Sequence, residues 1–391
     1  MQNSYDVVVA GGAVMGASVA WWLTRMRPGL KVAVVERDPG YAQCSTALSV
    51  ASVRQQFTNP VNVEISCFGI GFIRDFARHL GPAGGDLGLK ENGYLFLAGS
   101  EDSAAVMREV AAMQRAHGAA TQVLDRDALA RKFPWMALDD VVAGSFGPRD
   151  EGWFDNMGLL TGFRAGARAQ GVEFLADEVV GLEMAGDRVA AVTLASGAPL
   201  ACGALVNAAG TRAARIMAHA GAELPVEPRK RTVFLIDAPG ARHADAPLLV
   251  DHQGFYLRPE HTHWITATVP TEDGPCDADD FTPDHAQFED IIWPALYTRA
   301  PCFGAVKVVR FWAGHYAYNR LDQNAVLGLW PGLANLYLMT GFSGHGLQQS
   351  PAVGRGLAEL ILTGSYQSLD LSELGAARVV EGRPFAERAI V

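Results

Sequence analysis

Residues 5–36 constrain the fold more than any other stretch of the chain. Tyr5 to Ala10 reads Y-D-V-V-V-A, a short β-branched run of the kind that fills a buried parallel strand. Gly11, Gly12, Ala13, Val14, Met15 and Gly16 follow without a break. Val14 to Met26 then reads as a helix, stopped by Pro28-Gly29. Lys31 to Val35 is a second apolar strand, and it ends on Glu36, twenty residues after Gly16. Strand, glycine turn, helix, strand and acid, in that order, form the dinucleotide-binding fingerprint in its required context. Gly11 permits the tight turn, and Gly16 lets helix and strand pack closely. The helix N-terminus offers free N–H groups to a pyrophosphate. Glu36 is placed to accept hydrogen bonds from a ribose diol. Ala13 stands where the middle glycine of G-x-G-x-x-G belongs, and is small enough to let a ligand approach the backbone.

The remaining composition excludes several classes. At 391 residues with 49% hydrophobic and 19% charged side chains, the chain is neither disordered nor a polytopic membrane protein, and its length suits two or three lobes. A formal net charge of −10, with no Lys/Arg stripe, argues against nucleic acid as a partner. Val7 to Leu23 is apolar, but it carries three glycines and lacks a basic segment before it, so it is not read as a signal peptide. The five cysteines, Cys44, Cys67, Cys202, Cys276 and Cys302, are isolated from one another and from histidine at zinc spacing. Free thiols, no metal site and a cytoplasmic location are expected. The acidic segment from Pro270 to Pro283 is expected to be a solvated loop rather than a metal cage.

Three further features separate FAD from NAD. Gln43-Cys44-Ser45-Thr46 puts small hydroxyls close behind the second strand, near the expected pyrophosphate. Val189 to Leu200 has the turns of a β-meander, and it leads into Ala204 to Gly210, an apolar strand ending in small residues. Leu336 to Met339 is a strand feeding Thr340-Gly341-Phe342-Ser343-Gly344-His345-Gly346, with a helix expected from about Pro351 to Leu362. A second glycine turn opening a second helix is a dipole that suits the pyrimidine edge of a flavin. The expected cofactor-contacting set is therefore Gly11 to Gly16, Glu36, Arg37, Ser45, Thr46, Val179, Ala208, Ala209, Gly210, Gly341 to Gly346 and Gln348.

G-F-S-G-H-G (Gly341 to Gly346) and V-N-A-A-G (Val206 to Gly210) resemble the D-amino-acid oxidase superfamily of FAD oxidoreductases, which includes glycine and sarcosine oxidases. The resemblance spans nearly the whole chain. Ser45 to Val50 with Arg54 to Phe57, Trp312 to Tyr316, Tyr318 to Asn324 and Gly346 to Arg355 are most similar to a mitochondrial branch linked to respiratory complex I assembly. The fold implied is α/β with an α+β substrate lobe. A discontinuous, Rossmann-like FAD-binding domain (1–85, 145–220 and 325–391) joins a mixed-sheet substrate domain (86–144 and 221–324). Gly93 to Leu97, Thr232 to Ile236, Gly254 to Arg258, Trp264 to Val269 and Val306 to Trp312 are strands expected in the second domain.

The resemblance also implies a chemistry, oxidation of the C–N bond of an N-substituted glycine-like or D-amino acid by hydride transfer to flavin, followed by hydrolysis of the imine. Arg54 falls where sarcosine oxidase-like enzymes carry a substrate-binding arginine. Tyr256 and Arg258 alternate along one strand and so share a face, which the family turns toward substrate. His315, read as part of a turn, stands near the place of a flavin-linked cysteine, so FAD is expected to be noncovalent, and His315 and Tyr256 become candidate catalytic groups. Gln348 occupies a position where sarcosine oxidase has a carboxylate-binding lysine, and is a candidate substrate contact. Thr266 is the match for the lysine that promotes reaction with oxygen, which favours a quinone or carrier protein over O2 as electron acceptor. Two alternatives stay open: a flavoprotein that assembles or stabilises a peripheral membrane complex, and a 2-hydroxy acid dehydrogenase on the same fold.

Overall fold

The computed structural model describes residues 4–388. Two eight-stranded mixed sheets carry the architecture. In the first, the strand order is Val326–Leu329, Leu336–Thr340, Pro199–Asn207, Ser4–Ala10, Val32–Glu36, Glu173–Ala176. Ser4–Ala10 lies between two parallel partners, which is why its valines are apolar on both faces. Val179–Ala185 and Arg188–Leu194 add the expected meander, antiparallel to Pro199–Asn207.

Helices Val14–Met26 and Gly346–Thr363 pack together on this sheet. The second helix starts at Gly346, five residues before the expected Pro351, and carries that proline inside it. A proline there removes the N–H that would reach the Leu347 carbonyl. Ser350 Oγ donates to that carbonyl instead, at 2.9 Å. Ser18 Oγ donates to the Ser350 carbonyl at 2.7 Å and Trp22 Nε1 to the Pro351 carbonyl at 3.0 Å. The second helix thus fills its own gap while the first bonds it at the proline, which marks a contact rather than a start. Trp21, Phe72, Phe76 and Phe163 complete the layer in stacked, tilted and edge-on pairs.

The second sheet runs Lys307–Asn319, Val226–Asp237, His263–Thr268, Phe255–Glu260, Leu248–Val250, Tyr94–Ala98, Ala143–Gly147, Gln122–Asp125. The expected boundary at 144/145 cuts through Ala143–Gly147, which pairs with Tyr94–Ala98 in this sheet. Two strands are much longer than their apolar cores suggest. Val226–Asp237 and Lys307–Asn319 pair antiparallel along their whole lengths, Val226 opposite Asn319 and Asp237 opposite Lys307. His315 is therefore a strand residue, paired with Lys230, and not part of a turn. The ladder satisfies its backbone groups, and Arg229, Lys230 and Arg231 on it find ion partners. Arg299 and Asp251, both fully buried, tie the outer part of this domain together at 2.5 Å. Among the described residues, no helix is long and apolar enough to cross a membrane.

Candidate active site

A cavity of about 500 Å³ runs from the carboxyl end of the first sheet to the face of the second. At the nucleotide end its walls include Gly11, Ala13, Val14, Met15, Glu36, Arg37, Ser45, Thr46, Val179 and Ala208 to Gly210. Phe342 to Gly346 and Gln348 line its middle. Gly12, Gly16 and Gly341 shape the turns from behind without lining the cavity. Gly11 has φ +95°, where a side chain is strained. A Cβ on Gly16 would stand 1.9 Å from the Gly11 carbonyl oxygen, so the helix can enter this close to the turn only without one. Glu36 accepts from Gly12 N and Asp38 N, both at 2.8 Å, which fixes its carboxylate at the cavity rim. Thr46 Oγ1 accepts from Val14 N at 3.3 Å, and Ser45 Oγ donates to the His315 carbonyl at 2.7 Å. The first hydroxyl is at the helix N-terminus; the second joins the two domains.

His345 precedes the second helix, and neither of its ring nitrogens has a hydrogen-bond partner among the described residues. Burial, edge-on to Phe57 at 5.4 Å, lowers its pKa to about 3, so the ring is neutral. An orphaned polar ring beside an uncapped helix N-terminus, facing a cavity that starts at a glycine turn, fits a flavin dinucleotide. Among the described residues no cluster of His, Cys, Asp and Glu could hold a metal ion.

The substrate-domain wall is built from Arg54, Tyr94, Arg231, Val233, Leu248, Tyr256 and Tyr316. Arg54 is 5% exposed. Its guanidinium lies 4.2 Å from the Phe57 ring centre and within 6 Å of Tyr94 and Phe96, and Nη1 donates to the Gln56 carbonyl at 2.6 Å. Gln348 Oε1 accepts from Arg54 N at 2.6 Å while its Nε2 donates to Ser66 Oγ at 3.3 Å. The amide of Gln348 is thus engaged in holding Arg54. Burial raises the hydroxyl pKa of Tyr94 to about 12 and pushes Tyr256 and Tyr316 up as well, so all three phenols stay protonated.

One expected site residue lies elsewhere, and another lines the cavity away from the tyrosines. Arg258 is outside the cavity: Nε and Nη2 donate to the Val50 carbonyl at 3.1 and 3.0 Å, and Nη1 is held by Glu260. It shares a face with Tyr256 but lies beyond the cavity mouth. His315 lines the cavity on the opposite face of its strand from Tyr316. Its Nε2 lies 2.8 Å from the Asp280 carbonyl oxygen and its ring 4.4 Å from Phe281. That carbonyl can only accept, so Nε2 carries the proton. Burial lowers the pKa of His315.

The acidic loop expected to be solvated is in fact bound to both domains. Asp279 pairs with Arg37, at 3.3 Å, and with Arg212; Asp280 pairs with Lys230 at 2.7 Å; Asp273 pairs with Arg231 at 2.6 Å and Arg229 at 3.1 Å. Ala278 and Phe281 from this loop line the cavity. Arginines on each side attract the acids, and the loop becomes a strap across the opening.

Tyr94, Tyr316, Arg231 and Glu151 were not legible as site residues. Alternation along Val226–Asp237 would have put Arg231 on the face of Val233, but the charges around it read as surface. Glu151 lies beneath Arg54, accepting from Gln55 N at 2.6 Å and Gln56 Nε2 at 2.8 Å. Burial raises its pKa to about 7. The folded state then holds this proton more tightly than the unfolded chain does, near pH 4.3. The resulting stability is complete below that pH and is lost as pH rises toward 7, by roughly 4 kcal/mol. Glu151→Gln should flatten this fall, read as a urea midpoint that changes less between pH 5 and 8 than in the parent.

The site and fold define a flavin-dependent oxidoreductase, and the comparisons agree. The chain belongs to the DAO family of FAD dependent oxidoreductases, whose profile matches residues 6–360. It is 40% identical to "FAD-dependent oxidoreductase domain-containing protein 1" of Xenopus laevis, over 99% of this chain and 85% of that protein. The protein of the same description from Bos taurus is 38% identical, over 99% and 87%. Among solved structures, L-proline dehydrogenase from P. horikoshii superposes with a TM-score of 0.87 at 26% identity, covering 98% of this chain and all of that one.

Proposed function

We propose that the chain oxidises the C–N bond of an amine that carries a carboxylate, an N-substituted or D-amino acid. The reading is carried by Arg54, a buried guanidinium on an aromatic wall of the cavity that begins at the dinucleotide turn. Bound FAD, held without a covalent link, supplies the hydride acceptor. Arg54 clamps the carboxylate, with Gln348 and the Gln56 carbonyl fixing its position. Tyr256, Tyr94 and Tyr316 offer neutral hydroxyls to the amine end and keep water out. His315, on the opposite face of its strand from Tyr316, donates its Nε2 proton to the Asp280 carbonyl and anchors the strap rather than reaching the amine. The hydride leaves carbon, the nitrogen proton leaves to base, and water hydrolyses the imine to a carbonyl compound and an amine. The likeness to an L-proline dehydrogenase supports this, because proline is oxidised at a secondary amine.

Glu36, the first glycine turn and the helix beginning at Gly346 are assigned to FAD. The five free cysteines support a reducing, cytoplasmic setting. The proposed electron acceptor is a quinone or carrier protein, with O2 the slower alternative. The test is anaerobic mixing of the yellow protein with N-methyl and D-amino acids and with 2-hydroxy acids. Loss of the 450 nm band with an amine is the expected result. Bleaching by hydroxy acids alone reassigns the reaction to alcohol oxidation. Re-oxidation timed with oxygen and with a soluble quinone ranks the acceptors, and a faster return with oxygen overturns that part of the proposal.

A further inference from the structure

The cavity holds a second buried cation that the clamp does not use. Arg231 is 5% exposed and lines the substrate-domain wall. Asp273 occupies only one edge of its guanidinium, meeting Nη1 at 2.6 Å and Nη2 at 3.0 Å. Nη1 also donates to the Lys230 carbonyl at 3.0 Å. Nε is buried and has no hydrogen-bond partner among the described residues. A guanidinium offers two edges for bidentate contact, and the Nε edge is the one left over. Nε itself is closed off, but Nη2 on that edge makes a single described hydrogen bond and keeps a second N–H for a ligand acceptor.

The surroundings say what kind of acceptor. The guanidinium of Arg231 lies 4.9 Å from the Tyr316 ring centre, and Arg54 and Arg231 both act on the Tyr316 hydroxyl. Tyr94 lies beside Arg54 and Tyr316 beside Arg231, and these two phenols and Tyr256 are all protonated. The carboxylates that line the cavity, Glu36, Asp38, Asp177 and Glu178, are at its nucleotide end. Asp273, which offsets Arg231, sits on the strap outside the lining. A ligand lying across the tyrosines therefore meets a cation at each end.

We propose that the substrate is a dicarboxylic amine: one carboxylate on Arg54, the second on the Nε edge of Arg231, and the oxidised C–N bond between them. Arg231 is then a specificity-determining residue, and Asp273 is the anion that holds it in place and weakens its grip. The inference rests on the reading of this cavity as the substrate site of an amino-acid oxidoreductase, but it can be tested apart from turnover.

The test titrates the FAD-loaded protein with the non-reacting acids succinate, glutarate and adipate, each against its single-carboxylate counterpart, butyrate, pentanoate or hexanoate. Binding is read from the flavin absorbance and by calorimetry. The best-fitting dicarboxylate should bind about 10- to 100-fold more tightly than its partner, as one charge-assisted contact provides. Arg231→Met should erase that ratio while keeping the affinity for the single acid. Asp273→Asn should raise the ratio. A residue that only held the strap would give the opposite pattern, with both variants weakening all ligands together. Equal affinity within every pair overturns the inference, as does an Arg231→Met protein that keeps the ratio. Arg231→Met protein that loses FAD, measured by the absorbance of flavin retained after gel filtration, also overturns it and moves Arg231 to the cofactor. The parent reading is judged separately, by anaerobic bleaching with N-methylglutamate and N-methylnorvaline. Bleaching by both with equal dependence on concentration preserves amine oxidation and sinks the dicarboxylate. Bleaching by neither, despite tight binding of a dicarboxylate, sinks amine oxidation and leaves the two-arginine site standing.

Discussion

Arg54→Met should weaken every carboxylate-bearing substrate by about two to three orders of magnitude, with the amount of bound FAD unchanged. The expectation follows from depth. The guanidinium is 5% exposed, packed on Phe57 at 4.2 Å, and fixed through Gln56 and Gln348. A carboxylate arriving there meets a donor whose orientation is already set, so little entropy is lost on binding. Methionine fills the volume and removes the charge. Arg54→Lys keeps the charge but not the two-pronged geometry, and should recover only part of the loss. The measurement is the concentration dependence of anaerobic flavin reduction, run with an N-methyl amino acid and with its methyl ester. The acid should lose heavily and the ester little. Equal losses for both would show that Arg54 supports the wall rather than the carboxylate.

Gly16→Val should yield protein that retains little or no flavin. A Cβ at this position would lie 1.9 Å from the Gly11 carbonyl oxygen and 3.1 Å from a methyl of Val9. Backbone cannot yield as a side chain can, so helix Val14–Met26 must move off the turn that it completes. Overpacking of this kind costs about 1–3 kcal/mol even where some relaxation is possible. Here it also displaces the N–H groups facing the cavity, so FAD binding should fall by at least about 10- to 100-fold. Gly12→Ala is the control. Its Cβ would touch side-chain atoms of Glu36, Tyr41 and Val34 at 3.0–3.1 Å, which can adjust by a few tenths of an ångström. The ratio of absorbance at 450 and 280 nm after gel filtration reads both variants.

The nucleotide half was legible because its signals are local. Strand, glycine turn, helix and acid sit within residues 4–36, and steric rules tie each residue type to its place. The same holds for Gly341 to Gly346, although the helix beyond begins earlier than Pro351 suggests. Around that proline the helix is bonded by Ser18 and Trp22, more than 300 residues away in sequence. The substrate wall was much less legible. Arg54 was reached only through resemblance. Its neighbours Tyr94, Tyr316 and Arg231 come from three strands whose register is set by tertiary pairing. His315 read as part of a turn, yet the facing strand Val226–Asp237 pairs straight through it. The strap read as solvated because aspartates in a row usually are; its arginine partners are brought to it from three separate segments. Chain-distant electrostatics have no local periodicity to reveal them.

The placement of Ser4–Ala10 in the first sheet bears on how such a chain is made. The strand leaves the ribosome long before Pro199–Asn207, the neighbour that covers one of its edges. At ordinary elongation rates of about 5–20 residues per second, the wait is about 10–40 s. Throughout that interval a run of valines with an open backbone ladder is exposed to solvent. Biosynthetic yield should therefore depend on holdase chaperones and on slow growth temperatures more than on the stability of the finished enzyme.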